Sequence, residues 1–350
     1  MMTPTSRALL FDGSAGKLTL VHRNKPAPGP GEVLVRVTAS TMCGSDLHTI
    51  HGRRKVAVPT ILGHEIIGKV EAIGSGFTST GSPINVGDRI TWAVVAHCGH
   101  CLPCQRDIPQ KCHNGFKYGH EHDSPTHPWS GGFADWCLLA PGTTIVRLPD
   151  SLSDALACPA SCATSTVCAA MEAAGPLKDR SVLIAGAGLL GLTACAMARQ
   201  AGASKITCLE PDPHRRDRAL AFGATAAVAP NDLGLDEFDV FLELSGANAA
   251  WELAFERLAL GARAVLIGAV FPGPDTRINM ERIVRRMITI RGIHNYAPRH
   301  LEAAISFLAE HGRHVPLAEM VSEWFDLADH VNALKAASLP GATRIGFRNN

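Results

Sequence analysis

The chain has 350 residues with 33 basic and 32 acidic side chains, a formal net charge of +1 with histidine neutral, and that balance argues against a polyanion such as nucleic acid as its partner. At 46% hydrophobic and 19% charged residues the composition is that of a folded globular protein, long enough for two domains with real cores, and not of a disordered tail. Apolar runs fall well short of the roughly eighteen residues of a membrane span, and Met1 to Arg7 carries no apolar segment behind a basic one.

No membrane partner and no secretory leader are therefore expected. The eleven cysteines are odd in number and unevenly spread, which reads as reduced thiols in a cytoplasmic protein, some bound to metal, and not as a disulfide framework.

Up to about residue 150 Gly and Pro cut the chain every few residues, and Val33, Val35 and Val37 alternate onto one face of a predicted strand, so this part is β-rich. Pro26, Pro28 and Pro30 with Gly29 and Gly31 form a rigid turn into that strand. Beyond residue 160 short apolar runs alternate with amphipathic helices: Ser181–Ala185, Lys205–Leu209, Asp239–Glu243 and Ala262–Ile267 are predicted buried strands. That repetition predicts an α/β fold, a parallel sheet covered on both faces. A further apolar strand near Met287 to Ile293 reads as a pairing edge, and Arg299 to His311 as a helix opening a mixed tail.

Gly186-Ala187-Gly188-Leu189-Leu190-Gly191 follows a predicted strand and opens a predicted helix, the context a dinucleotide-binding turn requires. The first glycine permits the tight turn, the second lets pyrophosphate approach the backbone, the third lets helix and strand pack closely, and the helix N-terminus supplies amide donors. An acidic residue to hold the ribose hydroxyls is expected about 20 residues on. Glu210 stands there, closing the strand Lys205–Leu209. At about 4 Å and an effective dielectric of roughly 20, a carboxylate repels a 2′-phosphate charge by about 4 kcal/mol, which favours NAD over NADP. Arg215 and Arg216 weigh on the other side, since a nearby arginine can receive that phosphate.

Cys98, Cys101, Cys104 and Cys112 form C-x2-C-x2-C-x7-C around Gly99 and Pro103. Four thiolates on one short loop make a closed tetrahedral zinc site that holds the loop together and leaves no position for chemistry. An iron–sulfur cluster would call for different spacing, commonly with proline after the last cysteine, where this chain has His113.

Met42-Cys43-Gly44-Ser45-Asp46-Leu47-His48 and Gly63-His64-Glu65 each join a metal-ligating side chain to a carboxylate. Alone, such residues are usually core thiols and satisfied histidines. Together with the cysteine lobe and the glycine turn, in this order, they resemble the zinc-dependent medium-chain alcohol dehydrogenases over essentially the whole chain. The resemblance implies a β-rich GroES-like catalytic domain over residues 1–161 with a four-cysteine zinc lobe, a Rossmann doubly wound NAD-binding domain over 162–297, and a return to the catalytic domain over 298–350. It implies Cys43 and His64 as ligands of a catalytic zinc, with the third falling on Cys162 in Cys158-Pro159-Ala160-Ser161-Cys162; Cys158 and Cys168 lie nearby and read otherwise as buried thiols.

By the same resemblance Glu65 is a supporting or transient ligand, Asp46 orients His64, and Ser45 and His48 relay a proton to the surface. The implied reaction is hydride transfer between an alcohol, aldehyde or ketone and NAD(H), with one catalytic and one structural zinc per chain, in a homodimer or homotetramer. A non-catalytic binding protein, which would have no need of Cys43, Ser45, His48 and His64 together, and an isomerising enzyme that keeps its NAD, are the alternatives.

Phe116 to Glu121, with the insertion around Gly81-Ser82-Pro83, is similar to a branch associated with phosphonate catabolism. With Arg53-Arg54-Lys55 and Lys117 this suggests a substrate bearing an anionic group; the bland alternative is that these charges are solvated surface. His113, His120, His122 and His127 show no ligand spacing and read as a solvated loop.

Overall fold

The structure, a computed structural model, describes residues 6–339 and 341–349. Met1–Thr5, the larger part of the segment read above for a leader, lie outside the described residues. The chain divides into two compact units. One runs to Cys162 and resumes at Ala297–Arg313 and from Ala318 onward; the other comprises Ala163–Tyr296 and His314–Leu317.

The first unit is built on a seven-stranded sheet whose central strand, Val33–Thr41, pairs antiparallel with Glu65–Ile73, Arg344–Arg348 and Trp136–Leu139. Val33, Val35 and Val37 turn to one face and pack with Val70, Ile90 and Trp92, while Leu34 joins Ala8, Ile61 and Leu138 in a separate cluster. The register has a consequence for the site. Thr41 stands opposite both Glu65 and Gly346, so the sheet delivers Cys43, just past one strand, His64, just before the next, and Arg344, at the start of a third, to one end. Gly63 precedes His64 with φ +90°, and a Cβ there would lie 2.6 Å from the Phe133 ring, so neither backbone nor packing accepts another residue.

The second unit holds six parallel strands in the order Ala226–Val228, Lys205–Leu209, Ser181–Ala185, Phe238–Glu243, Leu258–Leu266 and Thr289–Gly292. Val182, Leu183, Ile184 and Ala185 are all fully buried, which is why this strand reads as an unbroken apolar run and shows no alternation. Strand order reverses between Ser181–Ala185 and Phe238–Glu243, and in open sheets of this kind ligands bind beyond the carboxyl ends of the strands at such a reversal. The last predicted strand is shorter than expected. Met287 instead closes the helix Met280–Arg286 in a left-handed conformation, φ 53°, and pairing covers only Thr289–Gly292. No helix among the described residues is long and apolar enough to cross a membrane.

Candidate active site

Cys43, at the entry to the helix Gly44–Ile50, His64 and Cys162 bring their ligand atoms within 4.8 Å of one another, with 4.0 Å between the two sulfurs. A zinc bonded at about 2.3 Å to tetrahedral sulfurs needs edges of about 3.8 Å, so the spacing and the Cys2His donor set fit that metal. Asp46 sets both of the first two ligands. Its Oδ2 accepts from the Cys43 amide at 2.9 Å, and its Oδ1 takes the Nδ1 proton of His64 at 3.1 Å, which leaves Nε2 as the donor atom for a metal. Asp46 is 1% exposed, so this tie is shielded from competing water.

Ser45 Oγ lies 3.3 Å from His64 Nε2, beside the metal position, and His48 sits one turn further along the same helix, half-buried. Hydrogen bonding from Cys162 pulls the Cys43 thiol well below the usual range, helped by Arg344 and His64 against the cost of burial. Cys162, the donor in that pair, is held well above it. For His64, burial opposes the charged form, but the Asp46 carboxylate and Cys43 outweigh it and push the imidazole up to about 10. Zinc takes thiolates and a neutral imidazole nitrogen, so metal binding must displace the thiol proton of Cys162 as well as the Nε2 proton of His64. Cys158 is fully buried and Cys168 half-buried; burial pushes both thiols up, and neither joins the metal-ligand cluster.

Glu65 has a partner that sequence reasoning missed. Arg344 donates through Nε to Oε2 at 2.7 Å and through Nη2 to Oε1 at 2.8 Å, and its Nη2 also lies 3.6 Å from Cys43 Sγ. Thr41 adds a third donor to Glu65 Oε2 at 2.6 Å. No local pattern marks Arg344, the first residue of the strand Arg344–Arg348; only in the fold is it a buried cation needing a counter-charge.

Cys98, Cys101, Cys104 and Cys112 also bring their ligand atoms within 4.8 Å of one another, with Cys101 Sγ 3.4 Å from Cys104 Sγ and 3.7 Å from Cys112 Sγ. Backbone donors from Cys104 and His113 hold the Cys101 thiol down to about 6, close to the thiolate a metal requires. These four and the Cys43 triangle are the two groups among the described residues able to hold a metal, so the remaining histidines form no third site. The histidine segment is nevertheless not all solvated. His122 and His127 flank exposed turns, but the His120 ring lies 5.1 Å from that of His64 and donates from Nδ1 to Tyr118 O at 2.8 Å.

Of the basic residues, Arg53 and Lys55 are exposed, while Arg54 and Lys117 are half-buried. Lys117 lies within electrostatic reach of Arg54, Cys162, Lys111 and Glu121; burial, then Arg54, lowers its ammonium to about 8.

In the second unit Gly186 takes φ +96°, and a Cβ at Gly191 would collide with the Gly186 carbonyl oxygen, so both glycines are required by the turn. A Cβ at Gly188 would meet nothing within 4 Å; it would occupy open space in front of the helix Leu189–Gln200, where a pyrophosphate fits. Glu210 Oε2 accepts from the Ala187 amide at 2.8 Å and Oε1 from the Asp212 amide at 3.1 Å, which ties the carboxylate to the glycine turn. Leu190 is half-buried in the first turn of that helix. Arg216 is spent on the carbonyl oxygens of Glu210 and Pro211; Arg215, half-buried, gives its amide to Asp212.

The chain matches the family described as alcohol dehydrogenase GroES-like domain over residues 29–150 and that described as zinc-binding dehydrogenase over residues 190–310. L-threonine 3-dehydrogenase from Pyrococcus horikoshii is 34% identical over 299 residues, covering 81% of this chain and 80% of that one. The protein of the same name from Deinococcus deserti is 31% identical over 303 residues, covering 82% and 83%. Among solved structures, an alcohol dehydrogenase from Thermotoga maritima aligns with a TM-score of 0.91 over 99% of this chain and 100% of that one, at 22% identity, a likeness of fold. With two cysteine-bearing groups able to hold a metal and a glycine turn already in place, these matches identify the chain as a member of the zinc-dependent medium-chain alcohol dehydrogenase family.

Proposed function

We infer that the protein is a zinc-dependent dehydrogenase that transfers hydride between NAD(H) and an alcohol, aldehyde or ketone whose substrate end carries an anionic group. The observation that carries the reading is the three-ligand cluster of Cys43, His64 and Cys162, since three protein ligands are the mark of a metal that keeps a position for substrate, whereas the four-cysteine lobe is closed. Zinc supplies Lewis acidity toward the substrate oxygen, and NAD bound at Gly186, Gly188, Leu189, Leu190, Gly191 and Glu210 supplies the hydride acceptor.

The chain's own residues do the rest. Asp46 keeps His64 in the tautomer that leaves Nε2 for metal. Ser45 Oγ would accept the proton released by the substrate hydroxyl as it gives up its own hydroxyl proton toward His48. His48, whose imidazole burial and Arg53 hold below the ordinary value, is neutral at pH 7 and passes that proton outward. Arg344 keeps Glu65 anchored next to the cluster and adds positive charge beside Cys43.

The anionic preference is supported by Arg54 and Lys117, the two half-buried cations near Cys162 and His120. L-threonine, named in two of the relatives, is a secondary alcohol that carries a carboxylate together with an α-ammonium, so it offers these cations an anionic group without net negative charge. Hydroxyalkylphosphonates and hydroxy acids belong in the same test. Assembly as a homodimer or homotetramer is proposed through the edge strand Thr289–Gly292 and the exposed Met280, Val284 and Met287 beside it. Eleven free thiols suit the cytoplasm.

The test is a panel of hydroxyalkylphosphonates, hydroxy acids including L-threonine, and matched neutral alcohols, each with NAD and NADP, alongside zinc analysis. Two zinc ions per chain, NADH formation and higher kcat/KM for the anions are expected. No preference for anions removes that part; one zinc or none with no turnover favours a binding protein; product without net NADH favours an isomerising enzyme.

A further inference from the structure

Glu243 closes the strand Phe238–Glu243, in register with Ala185 of the neighbouring strand, at the point where strand order reverses. It is 3% exposed, and among the described residues no salt bridge to it is formed. Its Oε1 alone accepts three hydrogen bonds, from the Ser245 amide at 2.8 Å, the Ser245 hydroxyl at 2.6 Å and the Gly246 amide at 2.7 Å. Its Oε2 is buried and has no hydrogen-bond partner among the described residues.

A fold does not retain such a group for stability alone. Burying a carboxylate with one oxygen unsatisfied is costly, and a neutral acceptor could close the same turn at less expense. What the charge achieves is rigidity in one place: three charge-assisted bonds converge on Ser245 and Gly246. That turn is the wall against which the glycine turn rests. An ideal Cβ on Gly186 would stand 3.2 Å from both the Cα and the amide nitrogen of Ser245, and the Leu244 amide donates to Ala185 O at 3.0 Å. Glu210 ties down the opposite side through Ala187. Two carboxylates, each at the end of a strand adjoining Ser181–Ala185, therefore clamp the turn from its two flanks.

We propose that Glu243 is a positioning residue for dinucleotide binding: it acts through the Ser245–Gly246 turn to hold the Gly186–Gly191 backbone in its phosphate-receiving shape, and it keeps Oε2 ready for a donor that arrives with the bound dinucleotide or a water it orders. The inference rests on the NAD(H) reading above. Glu243 touches no reacting atom, so its loss acts on cofactor affinity and leaves the chemical step alone.

The experiment is NADH titration by fluorescence on the zinc-loaded protein and on Glu243→Gln, Glu243→Asp and Ser245→Ala, with thermal midpoint and zinc content measured on each. Glu243→Gln keeps an acceptor but loses the charge, and is expected to raise the NADH Kd and the KM for NAD together by about tenfold, with kcat, zinc content and thermal midpoint near wild type. Ser245→Ala, at an exposed position, is expected to give a smaller rise of about threefold, and Glu243→Asp to fall between wild type and Gln. Unchanged NADH affinity in Glu243→Gln overturns the proposal. So does weakened binding that merely follows a collapsed thermal midpoint, if Ser245→Ala then binds NADH as wild type does. Failure of the wild type to bind NADH would instead remove the cofactor reading.

Discussion

Arg344 grips Glu65 through two parallel hydrogen bonds, 2.7 and 2.8 Å long, with the arginine side chain 7% exposed and the glutamate fully buried. Burial pushes the Glu65 carboxyl up and the guanidinium pulls it back, so each charge is affordable only in the presence of the other. Removing one partner leaves an uncompensated buried charge, at a cost of about 3–5 kcal/mol, whereas replacing both by apolar side chains of similar size is often close to neutral. Arg344→Met and Glu65→Met should therefore each lower urea stability by that amount, and the double variant should recover most of it. Losses that simply add in the double variant would show that the pair is not a unit. Because Arg344 also reaches Cys43, the stable double variant should still be slower as an enzyme.

Cys43→Ala removes one of three ligands from the candidate catalytic zinc while leaving the glycine turn untouched, as the two lie in different units of the chain. Turnover should vanish while NADH binding stays within about twofold of wild type. Retained activity would take Cys43 out of the mechanism.

How much of this was legible in advance depends on how local each constraint is. Cys98 to Cys112 could be read because a closed metal site needs four thiolates on one short loop, and the buried strand Ser181–Ala185 because a sheet covered on both faces demands an unbroken apolar run. Arg344 could not, since its partner lies 279 residues away and is chosen by sheet register. His120 was misread for the same reason: nothing beside it in sequence shows that its ring meets that of His64. Met287 misled in another way. Met280, Val284 and Met287 are exposed apolar residues of a helix and its cap, and surface hydrophobes around a helix end imitate the start of an apolar edge strand.

The cysteine lobe makes a separable prediction. Cys104→Ser should lower zinc from two ions per chain to one and expose the segment around Cys98–Cys112 to proteolysis, because the metal ties together a loop whose only helices are the single turns Leu102–Gln105 and Pro109–Lys111. NADH binding should persist. Two zinc ions retained in the variant would remove the lobe as a structural site.

Glu210 predicts cofactor choice. Its carboxylate is 6% exposed and fixed by the amides of Ala187 and Asp212, so it can neither turn away from a 2′-phosphate nor be screened well by solvent. NAD should be preferred, and Glu210→Gln, which keeps the acceptor and removes the charge, should reduce the ratio of kcat/KM for NAD over NADP by at least about tenfold, toward the roughly thousandfold that about 4 kcal/mol allows. Arg216 will not compensate, being committed to backbone oxygens, so any remaining NADP affinity should respond to Arg215→Ala. An unchanged ratio in Glu210→Gln would place selectivity elsewhere.

Lys117 gives the anionic-substrate reading a pH signature. Burial, reinforced by Arg54, brings its ammonium from the ordinary lysine value down to about 8. Below that pH the side chain is charged; above it the charge is lost, while a substrate carboxylate stays ionised throughout. KM for a hydroxy acid should therefore be flat from pH 6 to about 8 and climb above it, while KM for a neutral alcohol of the same length follows no such rise. The ratio of the two cancels effects of pH on the proton relay and on zinc, which both substrates share. Lys117→Met should raise the hydroxy-acid KM about tenfold at pH 7 and abolish the climb, leaving the neutral alcohol near wild type. A ratio that stays level across pH 8 in the wild type, or a variant that weakens both substrates equally, would return Lys117 to the role of a half-buried structural cation.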